Sequence, residues 1–151
     1  MALFDPPPAS FHFAVSVAGD QSESSFQEVS GLKAEWTTEE VKEGGQNRYV
    51  HRLPLRTHYS NVILKRGVLL RSSPLATWLT RSFRADFSTA PVTTTNLVVL
   101  LLNAQHKPIL KWWLAGAYPV SWDHSTLSAM ESNLLVETIE LSYSFFERSI
   151  P

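Results

Sequence analysis

The sequence has 151 residues, a formal net charge of −1 at pH 7 and no cysteine. This length suits one domain, and without cysteine neither a disulfide framework nor a thiolate metal site is possible. The longest apolar run, residues 97–102, is far shorter than the roughly 20 residues of a membrane helix, and no signal peptide is evident, so we expect one domain over residues 1–151, made in the cytoplasm without membrane insertion by itself.

Charge is unevenly distributed along the chain. Residues 5–43 carry eight acidic side chains and two lysines, whereas residues 44–84 carry eight basic side chains and no acidic one. Such separated blocks allow one copy of the chain to complement another, and they are equally compatible with solvated faces around a monomer.

The first residues predict an extended arm followed by a strand. Residues 1–10 contain three consecutive prolines, which lack the amide donor that a central strand needs. From Phe11 onward, large apolar residues alternate with small or polar ones, which is typical of a half-buried strand. Residues 26–32 then resume extended structure, with Gly31 as a candidate bulge.

Residues 32–53 predict a long hairpin whose turn is the sequence EGGQN at 43–47. Each of its strands carries more charge than a core strand tolerates, so the hairpin either projects into solvent or has a polar face that lines something wet. A phosphate-binding loop is disfavoured, because the required glycine spacing, the lysine and the following helix are missing.

A strand at residues 59–66 leads into the one convincing helix, at about residues 73–83. Ser73 is a natural N-cap and Pro74 suits the first helical position. Four apolar residues share one face and are predicted to anchor the helix to the core: Leu75, Trp78, Leu79 and Phe83.

The remaining chain predicts strands. A linker at 84–96 precedes strands at 97–102, 109–114, 117–122 and 134–146. About seven short strands and one helix indicate a mainly β fold, an antiparallel β-barrel or sandwich with one flanking α-helix.

Catalytic signatures are absent from the sequence. The five histidines show none of the close metal-ligand spacings, and Asp123, His124 and Ser125 are consecutive, so that they cannot form a proton relay on an extended chain. We therefore expect no enzyme activity, no cofactor and no metal. A single-stranded nucleic-acid-binding barrel remains an alternative, because Tyr49 and Tyr59 lie within the basic block.

The order of several short motifs resembles the tail-tube proteins of contractile phages and of bacterial contractile injection systems. The resemblance spans about residues 10–147. It is carried by FQEVSGL (26–32), EGGQN (43–47), LP (53–54), NVILKRG (61–67), WL (78–79), VVLLLN (98–103), Trp113, AYPV (117–120) and ETIELSY (137–143).

The resemblance implies a structural subunit of an inner tube. Such subunits form stacked hexameric rings with a hydrophilic lumen for cargo or DNA, inside a sheath and above baseplate or spike-adaptor proteins. It implies assembly in a bacterial cytoplasm as part of a phage tail or phage-tail-like particle. A baseplate-proximal tube initiator is the alternative, since Leu55 stands where the family often has glycine and the linker at 84–96 is long.

With six subunits, the over-polar hairpin has a natural role in contacts between subunits or rings. We expect its acidic strand to meet basic residues of a neighbouring copy. The predicted contact residues are Glu39, Glu40, Glu43, Gly44, Gly45, Gln46, Asn47, Arg48, Arg52 and Arg56.

Overall fold

The structure of the protein is a computed structural model that describes residues 11–17, 24–42, 44–45, 50–67, 73–84, 94–125 and 135–151. Within these residues the chain forms ten strands and one helix. They are β1 (His12–Val17), β2 (Ser24–Phe26), β3 (Glu28–Ser30), β4 (Ala34–Val41), β5 (His51–Tyr59), β6 (Val62–Gly67), α1 (Pro74–Arg84), β7 (Thr95–Leu102), β8 (Pro108–His124), β9 (Val136–Ser142) and β10 (Phe145–Ser149). The predicted class, mainly β with one helix, is confirmed.

Eight strands form one antiparallel sheet in the order β2-β1-β7-β8-β9-β6-β3, with β10 also paired to β8. The 17-residue β8 is its longest strand. Its first half pairs with β7 and β10, and its second half pairs with β9. β9 and β10 lie one after the other along the same edge of β8. The long strand β8 therefore connects the two halves of the sheet.

The main sheet is curled. Its two end strands, β2 and β3, are consecutive in the sequence and so must lie close together. β2 pairs with β1 and β3 pairs with β6, yet only Gln27 separates β2 from β3. The Gln27 amide donates a hydrogen bond to the Lys65 carbonyl oxygen at 3.0 Å. The curled sheet thereby encloses an apolar core.

The helix covers part of that core. The Ser73 hydroxyl oxygen accepts a hydrogen bond from the Ala76 amide at 3.1 Å, as an N-cap does. Leu75, Trp78 and Leu79 are buried in the same cluster as side chains from β1, β6, β7 and β9. Phe83 departs from the expected face: it is 48% exposed in the last turn, and its ring stacks on Trp122 with centroids 6.4 Å apart.

Several strand boundaries differ from the sequence-based ones. The returning strand of the hairpin runs to Tyr59, through Pro54, because a two-stranded sheet leaves a free edge on which proline needs no donor. The predicted strands at 109–114 and 117–122 are the single strand β8, and the predicted strand at 134–146 is divided at Tyr143 and Ser144. The predicted N-terminal arm and most of the linker at 84–96 lie outside the described residues.

Candidate protein–protein interface

The two strands β4 and β5 form an arm that lies outside the main sheet. Among the described residues they pair only with each other. Every residue of the arm is exposed except the half-buried Tyr59. Large apolar side chains are among the exposed ones, with Trp36 at 65%, Leu55 at 62% and Leu53 at 50%. An arm with free edges and exposed apolar side chains is suited to contact another chain.

The charges of the arm are partly compensated within one chain. Glu40 lies directly opposite Arg52 in the ladder, and Arg52 Nε is 3.9 Å from Glu40 Oε1. Within one chain the cross-strand register thus pairs these two residues with each other, and their expected contact with a neighbouring copy stays a prediction. Both side chains are more than half exposed, so the pair contributes about 0 to 1 kcal/mol.

The other predicted contact residues are divided between described and undescribed positions. Glu39 and Arg56 are exposed on the arm, and neither side chain has an ion-pair partner among the described residues. Gly44 and Gly45 are exposed at the turn. Four further predicted residues lie outside the described residues: Glu43, Gln46, Asn47 and Arg48.

An aromatic cluster attaches the arm to the main sheet. The Tyr59 ring contacts Phe146 edge-on at 5.2 Å between centroids and Tyr143 at 6.0 Å. At the base of the arm, the Ser60 amide donates to the Lys33 carbonyl oxygen at 3.1 Å, which extends the hairpin by one more hydrogen bond. The sequence indicated none of these contacts, because the aromatic residues are more than 80 positions apart in the chain.

Tyr143 makes stability sensitive to alkaline pH. Burial, with a smaller contribution from Tyr59, raises the pKa of Tyr143 to about 12. An unfolded chain ionises this phenol near its usual pKa of about 10, whereas the folded chain does not, so stability is lost as pH rises from about 10 to 12.

Tyr143→Phe should therefore flatten the loss of stability above pH 10. Its hydroxyl is buried without a hydrogen-bond partner among the described residues, so removing it should not lower stability at pH 7. Urea midpoints at pH 7, 10 and 11 test both statements, with the more exposed Tyr118→Phe as the control. An unchanged pH profile in Tyr143→Phe would contradict the assignment.

Among the described residues, one basic side chain of the block at 44–84 is buried rather than on the surface. Arg66 is 4% exposed, and its Nε donates to Glu137 Oε2 at 2.8 Å. Tyr59 packs in the aromatic cluster rather than presenting a free stacking face. Arg66 and Tyr59 are therefore not available to a surface that binds single-stranded nucleic acid, the alternative function.

Two of the three consecutive residues Asp123, His124 and Ser125 make contacts within the fold. Ser125 Oγ accepts a hydrogen bond from the Val136 amide at 2.9 Å, and the His124 ring contacts Trp122 at 5.4 Å. In the described ranges there is no group of three or more potential metal-ligating side chains. No helix of the described chain is long and apolar enough to cross a membrane.

Comparison with known proteins identifies similar chains over the whole length. The sequence profile of the T4-like virus tail tube protein gp19 family matches residues 9–147. A chain of the anti-feeding prophage baseplate, in a 6-fold symmetrised cryo-EM structure, is 27% identical, with 99% of this chain and 97% of that chain covered and a TM-score of 0.75.

Two chains of an extracellular contractile injection system, PVC, are also similar. One belongs to its sheath/tube terminator in the extended state, with 25% identity, coverage of 98% and 99%, and a TM-score of 0.77. The other belongs to its sheath-tube complex and shares the fold, at 23% identity, coverage of 97% and 93%, and a TM-score of 0.76. A comparison with curated protein sequences gave no match.

Proposed function

The chain belongs to the T4-like virus tail tube protein gp19 family, and on that premise we propose that it forms stacked hexameric rings as the inner tube of a contractile injection system or phage tail. The rings enclose a hydrophilic lumen through which cargo or DNA passes. The 27% identical chain from a 6-fold symmetrised baseplate supports six copies.

The observation that carries this proposal is the arm formed by β4 and β5. An isolated two-stranded hairpin is at best marginally stable in water. This arm also exposes Trp36, Leu53 and Leu55, which a monomer gains nothing by exposing. A neighbouring subunit that covers these side chains and pairs with a free edge resolves both problems.

Ring closure through different surfaces fits the remaining free edges. The edge of β10 that faces away from β8 pairs with no strand among the described residues. A head-to-tail contact between unlike edges generates a closed ring when its rotation closes, and closure removes exposed edges. The polar residues of the arm then suit a wall that faces water.

The partners follow from the same assignment. We assign a sheath around the tube and baseplate or spike-adaptor proteins below it, in a particle assembled in a bacterial cytoplasm. The similar chains from a baseplate and from a sheath/tube terminator support these partners. The baseplate relative also favours the second candidate, a tube initiator next to the baseplate. In either position the role is mechanical, without catalysis.

Arm substitutions should separate assembly from folding. Trp36→Ser with Leu55→Ser should leave the melting temperature of the monomer within about 2 °C, because both side chains are already exposed, yet should abolish rings and tubes in negative-stain images. The matched control is Ile150→Ser, at 84% exposure the most solvent-exposed of the large apolar side chains described. Normal tubes in the arm variant would show that the interface lies elsewhere. A wild-type chain that remains monomeric at high concentration would contradict self-assembly.

A further inference from the structure

Two histidines meet at one end of the main sheet. His12 Nε2 lies 2.7 Å from His106 Nδ1, and the two rings are arranged edge-to-face at 4.5 Å between centroids. The residues are 94 positions apart, so no spacing in the sequence connects them. At this distance one imidazole nitrogen donates a proton and the other accepts it.

The backbone brings the two histidines together. His12 begins β1 and lies opposite Leu102 of β7, so the sheet positions it. His106 lies in the turn between β7 and β8 with φ 60°, a left-handed conformation that few residues other than glycine adopt. Asn103 Oδ1 holds this turn by accepting hydrogen bonds from the amides of Gln105 at 2.9 Å and Lys107 at 3.0 Å.

Two imidazole nitrogens this close together suit a divalent transition-metal ion of borderline softness. Imidazole suits Zn²⁺, Ni²⁺ and Cu²⁺ at metal–nitrogen distances of about 2.0 to 2.1 Å. Two such bonds at angles between 90° and tetrahedral place the nitrogens about 2.9 to 3.3 Å apart. The observed separation of 2.7 Å is therefore within a few tenths of an ångström of that in a metal chelate, and both rings must also turn so that their lone pairs converge on the ion that replaces the shared proton.

We propose that His12 and His106 form a two-histidine site for a divalent transition-metal ion, with water in the remaining coordination positions. No third metal-ligating side chain joins them among the described residues. The bound ion ties the start of β1 to the turn between β7 and β8. Copper binds more tightly than nickel or zinc, and Mg²⁺, which prefers oxygen ligands, does not bind.

Thermal unfolding of the full chain without a polyhistidine tag tests the site. Metal at 100 times its dissociation constant stabilises a folded protein by about 2.7 kcal/mol, equivalent to a rise of roughly 5 to 10 °C in Tm for a chain of this size. We expect this rise with CuSO₄, NiCl₂ and ZnCl₂ at pH 7.5, but not with MgCl₂. The rise should shrink at pH 5, because protons compete for the same nitrogens.

Two conservative variants locate the ligands. His12→Gln keeps a polar side chain on β1, and His106→Asn keeps a residue type that tolerates the left-handed conformation. Each should retain its Tm without metal and lose the metal-dependent rise. His124→Gln, an exposed histidine on β8, is the matched control and should keep the rise.

Electron paramagnetic resonance of the Cu²⁺-loaded protein gives a second reading that does not depend on stability. One equivalent of Cu²⁺ should show two nitrogen ligands in the wild type and one in either variant. Equal metal-dependent rises in the wild type and in His12→Gln, or a Cu²⁺ spectrum without paired nitrogens, would overturn the proposal. No rise in the wild type at millimolar Zn²⁺ or Cu²⁺ would overturn it as well.

Discussion

Gly31→Ala should destabilise the protein by about 4 kcal/mol or more, enough to leave much of the chain unfolded. A Cβ atom on residue 31 would lie 2.0 Å from the backbone oxygen of Asn61 and 3.1 Å from its carbonyl carbon. Gly31 also has φ 87°, which costs a residue with a side chain about 1 to 2 kcal/mol by itself.

The close approach of Gly31 cannot be relieved by moving a side chain. Gly31 directly follows β3, and Asn61 directly precedes β6, the strand with which β3 pairs. An added methyl group must therefore push two paired strands apart at the base of the arm. The sequence suggested a bulge at this position, but the contact that forbids a side chain comes from a residue 30 positions away.

Gly45→Ala is the matched control for backbone strain without contact. Gly45 has φ 92°, yet none of the described residues has an atom within 4 Å of the position its Cβ would occupy. Its substitution should cost only about 1 to 2 kcal/mol. Guanidinium unfolding of both variants at concentrations that keep the chain monomeric separates the two effects. Equal losses would mean that Gly31 and Asn61 do not stay in contact in solution.

Local sequence patterns predicted those elements whose position depends on neighbouring residues in the chain. Ser73 and Pro74 specify the start of the helix, and the alternation from Phe11 specifies β1. Strand ends depend instead on which partner continues the ladder. β8 therefore runs uninterrupted through Gly116 and Pro119, where the sequence predicted two separate strands, at 109–114 and 117–122.

The arm formed by β4 and β5 could be predicted only in outline. The polar composition of residues 32–53 correctly indicated a hairpin outside the core. The pairing of Glu40 with Arg52 required the register of β4 against β5, which a bulge between Thr37 and Thr38 shifts by one residue. Long-range pairs such as His12 with His106 leave no local signal at all.

A buried ion pair should show the other large effect on stability. Arg66 and Glu137 are directly opposite on β6 and β9, and both are 4% exposed. Glu137 Oε1 also accepts a hydrogen bond from Trp122 Nε1 at 2.6 Å, and the Arg66 guanidinium lies 4.7 Å from the ring centroid of Phe26. The sequence placed Arg66 in a basic block and gave no sign that it is buried.

Arg66→Met should cost about 3 to 5 kcal/mol, because it leaves the Glu137 carboxylate buried without its cationic partner. Glu137→Leu should cost a similar amount, because it leaves the guanidinium uncompensated and the Trp122 N–H without an acceptor. The double variant should be more stable than either single variant, since it removes both charges and fills the space with apolar groups. It should still fall below the wild type, because the Trp122 N–H remains unpaired.

The exposed pair Glu40 and Arg52 provides a matched double-mutant cycle as the control. It is also a cross-strand ion pair, but both side chains are more than half exposed. Arg52→Met and Glu40→Leu should each change stability by about 1 kcal/mol or less, and any coupling between them should fade in high salt, whereas the buried coupling should persist. Urea midpoints of the monomeric chain, measured for both cycles at low and high salt, give the two coupling energies. If Arg66→Met were as mild as Arg52→Met, or if the losses at residues 66 and 137 simply added, these two residues would not form a buried pair in solution.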